Sequence, residues 1–186
     1  MMTPRLGLKH EVADSEHFLS PGGRNIHILP TGRNISTDAV ETELWAIASK
    51  LNMYFALLEG SGIENKRDLL ARLEELYQFP RRNPDRPNWD SANDWLGDLS
   101  WITGWPDHKN VNGFILLYDN PTRLFHSDPV ALAIFMNIVA SAIVSFKEEG
   151  LAFNLVIGAL ENEAIPFIHV LKASDFICPI CGWDQE

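Results

Sequence analysis

Three short, almost wholly apolar runs constrain this chain more than any other feature: Met53-Tyr54-Phe55-Ala56-Leu57-Leu58, Gly113-Phe114-Ile115-Leu116-Leu117-Tyr118 and Phe153-Asn154-Leu155-Val156-Ile157. Each has the length of a strand, and each reads as a buried strand rather than one with a wet face. Helical patterns lie between them. Leu69, Leu70, Leu73 and Leu76 form one stripe over 65–76, and Asp128-Pro129 opens a long apolar helix that Gly150 stops. Strands alternating with helices predict an α/β fold with a mainly parallel sheet.

An extra strand–helix unit precedes these runs. Ile26-His27-Ile28-Leu29 reads as a short strand, and Thr37-Asp38 opens a helix to about Leu51 that carries Val40, Leu44, Trp45, Ala48 and Leu51. Residues 1–24 are mixed and polar, and Pro166 to Leu171 reads as one more strand. The segment from Phe79 to Asn88 holds three prolines and is expected to be a rigid loop. Gly60-Ser61-Gly62 lacks the third glycine and the spacing of a phosphate-binding turn, which argues against nucleotide binding.

The 186 residues carry a formal charge of -10. That argues against direct nucleic-acid binding, which needs lysine and arginine to neutralise phosphates, and it is compatible with capture of a basic protein. The stretch from Val130 to Phe146 is interrupted by Asn137 and Ser141 and flanked by charge, so it is expected to be a core helix and no membrane is expected as a partner. The N-terminus shows no apolar signal region, and a cytoplasmic location is expected.

The charge is most organised in Asn88-Trp89-Asp90-Ser91-Ala92-Asn93-Asp94-Trp95-Leu96-Gly97-Asp98-Leu99-Ser100-Trp101. Asp90, Asp94 and Asp98 are spaced by four, with no lysine or arginine between them. On a helix each such step turns the direction by only about 40°, so all three share a face. Like charges at that spacing weaken the helix that bears them, which points to a surface made for a cationic partner. The same wheel gathers Ala92, Trp95, Leu96, Leu99 and Ile102 on the opposite side and leaves Trp101 with the aspartates. A helix reaching Gly104 and Pro106 is expected.

The pattern Asn88-Trp89-Asp90-x-x-x-Asp94-x-Leu96, followed by Asp98-Leu99-Ser100-Trp101, resembles the barstar family of ribonuclease inhibitors. The order of strands and helices over roughly residues 51 to 160 agrees with it. The resemblance implies a three-stranded parallel sheet packed by helices, and a protein that is not an enzyme but blocks a basic ribonuclease or a toxin of that kind. It implies that Asp90 and Asp94 enter the enzyme's active site and that Asn88 stands at the helix start. Asp98 and Trp101 are added as flanking contacts. The family's tyrosine–glycine segment is replaced here by Pro84-Asp85-Arg86-Pro87, and the glutamate that some inhibitors present from the last helix falls near Ser145. The expected organisation is an N-terminal extension over 1–50, a barstar-like domain over 51–160 and a C-terminal strand and tail over 161–186.

The two cysteines, Cys178 and Cys181, form a Cys-Pro-Ile-Cys turn of the kind that presents thiolates to zinc. His10, His17, His27 or His169 could complete such a site. This gives the rival expectation, a barstar-fold protein–protein adaptor with a zinc-binding knuckle. An enzyme built on His108 or His126 is a weaker alternative, because no assembled site accompanies either. Trp45, Trp89, Trp95 and Trp105 are expected to pack in the core or at an interface. The oligomeric state is open.

Overall fold

A computed structural model describes residues 25–31, 37–80, 88–102, 110–160 and 180–181, with Pro30, Thr31, Thr37, Leu160 and the last pair described by backbone alone. Strands β1 (Ile26–Thr31), β2 (Tyr54–Glu59), β3 (Gly113–Asp119), β4 (Ala152–Leu160) and the two-residue β5 (Ile180–Cys181) form one sheet in the order β2-β3-β4-β1-β5. Every pairing in it is parallel. The helices are α1 (Thr37–Leu51), α2 (Lys66–Tyr77), α3 (Trp89–Leu96), α4 (Thr122–Ser127) and α5 (Pro129–Glu148).

The expected three-stranded parallel sheet is β2-β3-β4, packed by helices. It does not end there, because β1 of the N-terminal unit pairs with β4 along its whole length, Ile26 with Leu155 through Thr31 with Leu160. The extension thus continues the sheet rather than standing beside it. Pro30, which has no N–H to give to a neighbour, falls beyond the two residues of β1 that β5 pairs. The strand expected at 166–171 lies outside the described residues.

The route of the chain explains the layers. From β2 to β3 to β4 the chain steps one way across the sheet, whereas from β1 to β2 it returns the other way. Right-handed crossovers taken in opposite directions lay their helices on opposite faces. On one face, Leu69, Leu70 and Leu73 of α2, Ala92 and Leu96 of α3, and Leu132, Phe135, Val139 and Phe146 of α5 join Ala56, Leu116, Phe114, Phe153 and Leu155 in the main core. On the other, Val40, Leu44 and Ala48 of α1 cover Ile115, Leu117 and Val156. Burial from both sides is why the strands are apolar at consecutive positions. Three polar side chains are buried with them, Asn25, His27 and Asn154, and the Nε2 of His27 lies 3.4 Å from the Oδ1 of Asn154.

Three departures from expectation have local causes. Of the two places expected for Trp45, core or interface, the core is excluded: it is 61% exposed, because five residues on from Val40 it is rotated by about 140° away from the stripe. Helix α4 had no visible pattern, since six residues starting after Pro121 are too few to show a period. The third, at the end of α3, shapes the candidate site.

Candidate functional site

Helix α3 begins at a side-chain cap. Asn88 Oδ1 accepts the N–H of Ser91 at 2.9 Å, satisfying a donor that the first turn leaves open. Asp90 stands in that first turn, where the helix dipole favours a carboxylate. Ala92 and Leu96 point into the core and are fully buried. Trp95 lies against Phe79, ring centroids 5.1 Å apart, and is half-buried. The opposite side of the helix presents Asp90, Asn93 and Asp94, all exposed. Among the described residues none of Asp90, Asp94 and Asp98 forms an ion pair. One turn of rise, about 6 Å, separates Asp90 from Asp94 along the axis.

The helix expected to continue through Asp98 and Trp101 stops at Leu96, which corrects the shared face to Asp90 and Asp94. Asp98 instead lies in the turn beyond, where Oδ1 accepts the N–H of Ser100 at 3.2 Å, a local bond that competes with helix continuation. Leu99 then takes a left-handed backbone, φ 45°, and buries its side chain completely. Asp98 remains exposed next to the helix end.

Trp101 is also off the helix. Its indole N–H donates to the carbonyl oxygen of Tyr77 at 2.8 Å, and its ring meets Phe79 edge-on at 6.1 Å. It therefore ties the segment after α3 to the end of α2 rather than sharing the face of Asp90 and Asp94. Asn93 was missed in the sequence, although its place three residues after Asp90 is the signal that would have found it.

Two neighbours frame the acidic face. At its start, the ammonium of Lys66 lies 5.4 Å from the centre of the Trp89 ring, a cation–π contact that brings one positive charge from α2 to the foot of α3. At its end, α5 passes close by: the Ser145 hydroxyl is 3.7 Å from where a β-carbon on Gly97 would stand. A helix presenting unpaired carboxylates on a rigidly packed support can bind a positively charged protein cleft. Nothing in it forms an acid–base pair flanking a scissile bond.

The remaining candidates are not brought together here. Cys178, His10, His17, His108, His169, Trp105 and the arginines of 81–87 lie outside the described residues, and for Cys181 only the backbone is described. Among the described residues no three histidine, cysteine or carboxylate side chains are grouped to hold a metal. His126 is exposed on α4 and Asp128 is spent on capping α5, its Oδ1 accepting from the N–H of Ala131 at 3.0 Å.

Comparison with known protein families gives one finding: the sequence model described as Barstar (barnase inhibitor) matches residues 53–158, more than half of the chain. The match begins just before β2, ends within β4 and contains α3 entirely. No curated protein matches the chain.

Proposed function

The chain belongs to the barstar family, whose members are ribonuclease inhibitors, and from that premise we propose that it binds a basic ribonuclease or ribonuclease-type toxin and blocks the active site with α3. The observation that carries this reading is the exposure of Asp90 and Asp94 on the outer face of a helix anchored in the core on its inner face. Carboxylates held there stand in for substrate phosphates in a cationic cleft, and complementary charge speeds the encounter. Asp94, one turn on from Asp90, is the central anchor and Asp90 its companion, with Asn88 and Asp98 as flanking contacts. The protein acts as an immunity or antitoxin partner in the cytoplasm.

The test is binding and inhibition measured against a panel of basic microbial ribonucleases, repeated with Asp94→Ala. Asp94→Ala should weaken the complex by at least about 2 kcal/mol, roughly thirtyfold. Failure of the wild-type protein to bind any of them rejects the ribonuclease reading. Unchanged affinity in Asp94→Ala moves the contact surface elsewhere.

A second reading, an adaptor with a zinc-binding knuckle at Cys178 and Cys181, draws support from the register of β5 on β1, which aligns Cys181 with His27. Stoichiometric zinc in the purified protein, lost in Cys181→Ser, would favour it. Metal-free protein with full ribonuclease affinity would reject it.

A further inference from the structure

Gly97 stands where α3 ends, and its backbone does not call for a glycine. Its φ of -81° and ψ of -10° are right-handed helical values that any residue adopts. Glycine also loses more freedom on folding than any other residue. What the missing side chain provides is space on the outer face. At about 100° per residue, position 97 falls within about 60° of both Asp90 and Asp94, and it is half-exposed.

The space is a notch lined by oxygen. A β-carbon on Gly97 would stand 3.2 Å from the carbonyl oxygen of Asn93, 3.7 Å from the Ser145 hydroxyl and 3.8 Å from the carbonyl oxygen of Asp94. Two of these atoms belong to the last turn of α3 and the third to α5, so the notch lies in the seam between the two helices. The Asp98 N–H, which would close the next turn on Asp94, bonds to the carbonyl of Trp95 instead, at 3.3 Å. The Asp94 carbonyl thus lacks its helical partner, and the negative end of the helix dipole gathers on such groups.

Carboxylates surround the notch. Asp94 and Asp98 border it on α3, and Glu148 stands one turn on from Ser145 on α5; all three are exposed. Among the described residues none of them forms an ion pair. The last turn of α3 contains no basic residue, and Lys147 is turned about 160° from Ser145 around α5. Acceptor oxygens set among carboxylates suit a guanidinium or ammonium group, whose N–H donors carry the opposite charge.

We propose that the notch at Gly97 receives a cationic side chain, arginine or lysine, from the ribonuclease, and that the small residue at 97 makes the inhibitor selective for enzymes that carry a cation there. The proposal rests on the inhibitor reading, since α3 must enter the cleft for the notch to be reached. Asp90 and Asp94 meet the cleft along the helix, and the notch takes a further cation at its end. A larger side chain on either wall closes the notch and leaves every carboxylate in place.

Two substitutions test this from opposite walls. Gly97→Ala fills the notch from α3 and Ser145→Leu fills it from α5. Each should weaken binding to the ribonuclease that the wild-type protein prefers by roughly fivefold or more. The loss should lie in faster dissociation, because no charge is altered and encounter stays the same. Urea midpoints are measured alongside. Gly97→Ala crowds the Asn93 carbonyl by a few tenths of an ångström, and Ser145→Leu, at a half-exposed position, reads the same notch if that variant fails to fold. The occupant is found by replacing each arginine and lysine of the enzyme's cleft with alanine. One replacement should weaken binding of the wild-type inhibitor roughly fivefold or more and that of Gly97→Ala hardly further. If Asp94→Ala loses affinity while folded Gly97→Ala and Ser145→Leu both keep it, the notch is empty in the complex and the inhibitor reading stands. A cleft scan in which no cation is coupled to Gly97→Ala likewise overturns the proposal alone. A wild-type protein that binds no ribonuclease overturns both.

Discussion

Two tyrosines show how single residues set the limits of this fold. Burial pushes the phenols of Tyr77 and Tyr118 far above the usual tyrosine range, and the nearby phenol of Tyr54 adds to the shift of Tyr77. In the unfolded chain both ionise near pH 10. Above that pH the folded state holds protons that the unfolded state has released, so stability is flat below about pH 10 and falls as pH rises beyond it. Urea midpoints measured from pH 8 to 11.5 should show this fall, and Tyr118→Phe should make it shallower. At neutral pH the same substitution should change stability by less than about 1 kcal/mol, or raise it. Neither buried hydroxyl has a hydrogen-bond partner among the described residues, so the bare ring loses nothing. Gly60 is the opposite case. A β-carbon there would run into the carbonyl oxygens of Asn120 and Asp119, which are backbone atoms and cannot swing aside as a flexible side chain would. Gly60→Ala should cost about 3 kcal/mol or more in a denaturant titration.

Among the elements, α3 depends on its two ends. Asn88→Ala removes the cap and should cost about 1 kcal/mol of stability, measured by thermal or urea unfolding. Because Asn88 also flanks the proposed contact, its effect on affinity should be far smaller than that of Asp94→Ala. Leu99→Ala empties a fully buried position beyond the helix and should cost about 2–5 kcal/mol. The starts of α3 and α5 were legible in the sequence, because Asn88 and Asp128-Pro129 are local signals that need no tertiary context. The strands were legible because burial on both faces leaves uninterrupted apolar runs. The end of α3 was not. Leu99 and Ile102 continue the helical spacing of Ala92 and Leu96, so a wheel places them on the same face whether or not the helix persists. What ends it is the bond from Asp98 to Ser100 together with the core that receives Leu99. The same limit hid the inward role of Trp101, whose partners on Tyr77 and Phe79 lie more than twenty residues away.

For the whole molecule, a net charge of -10 and an acidic helix predict a definite response to salt. Association with a basic ribonuclease should slow steeply as salt rises from about 50 to 500 mM, mainly through the on-rate in stopped-flow measurements. The sheet order carries a further consequence, for the birth of the chain rather than its finished state. β1 is made early, yet its neighbours are β4 and β5, with Ile26 aligned to Leu155 and to Ile180. On a ribosome the first strand therefore emerges long before either partner exists. Until β4 is made, the N–H and C=O groups along its edges lack these partners and its apolar side chains lack their cover, and contacts of such long sequence separation form slowly. The N-terminal segment is thus the part of the nascent chain most in need of shielding, and its docking waits until β4 has been translated.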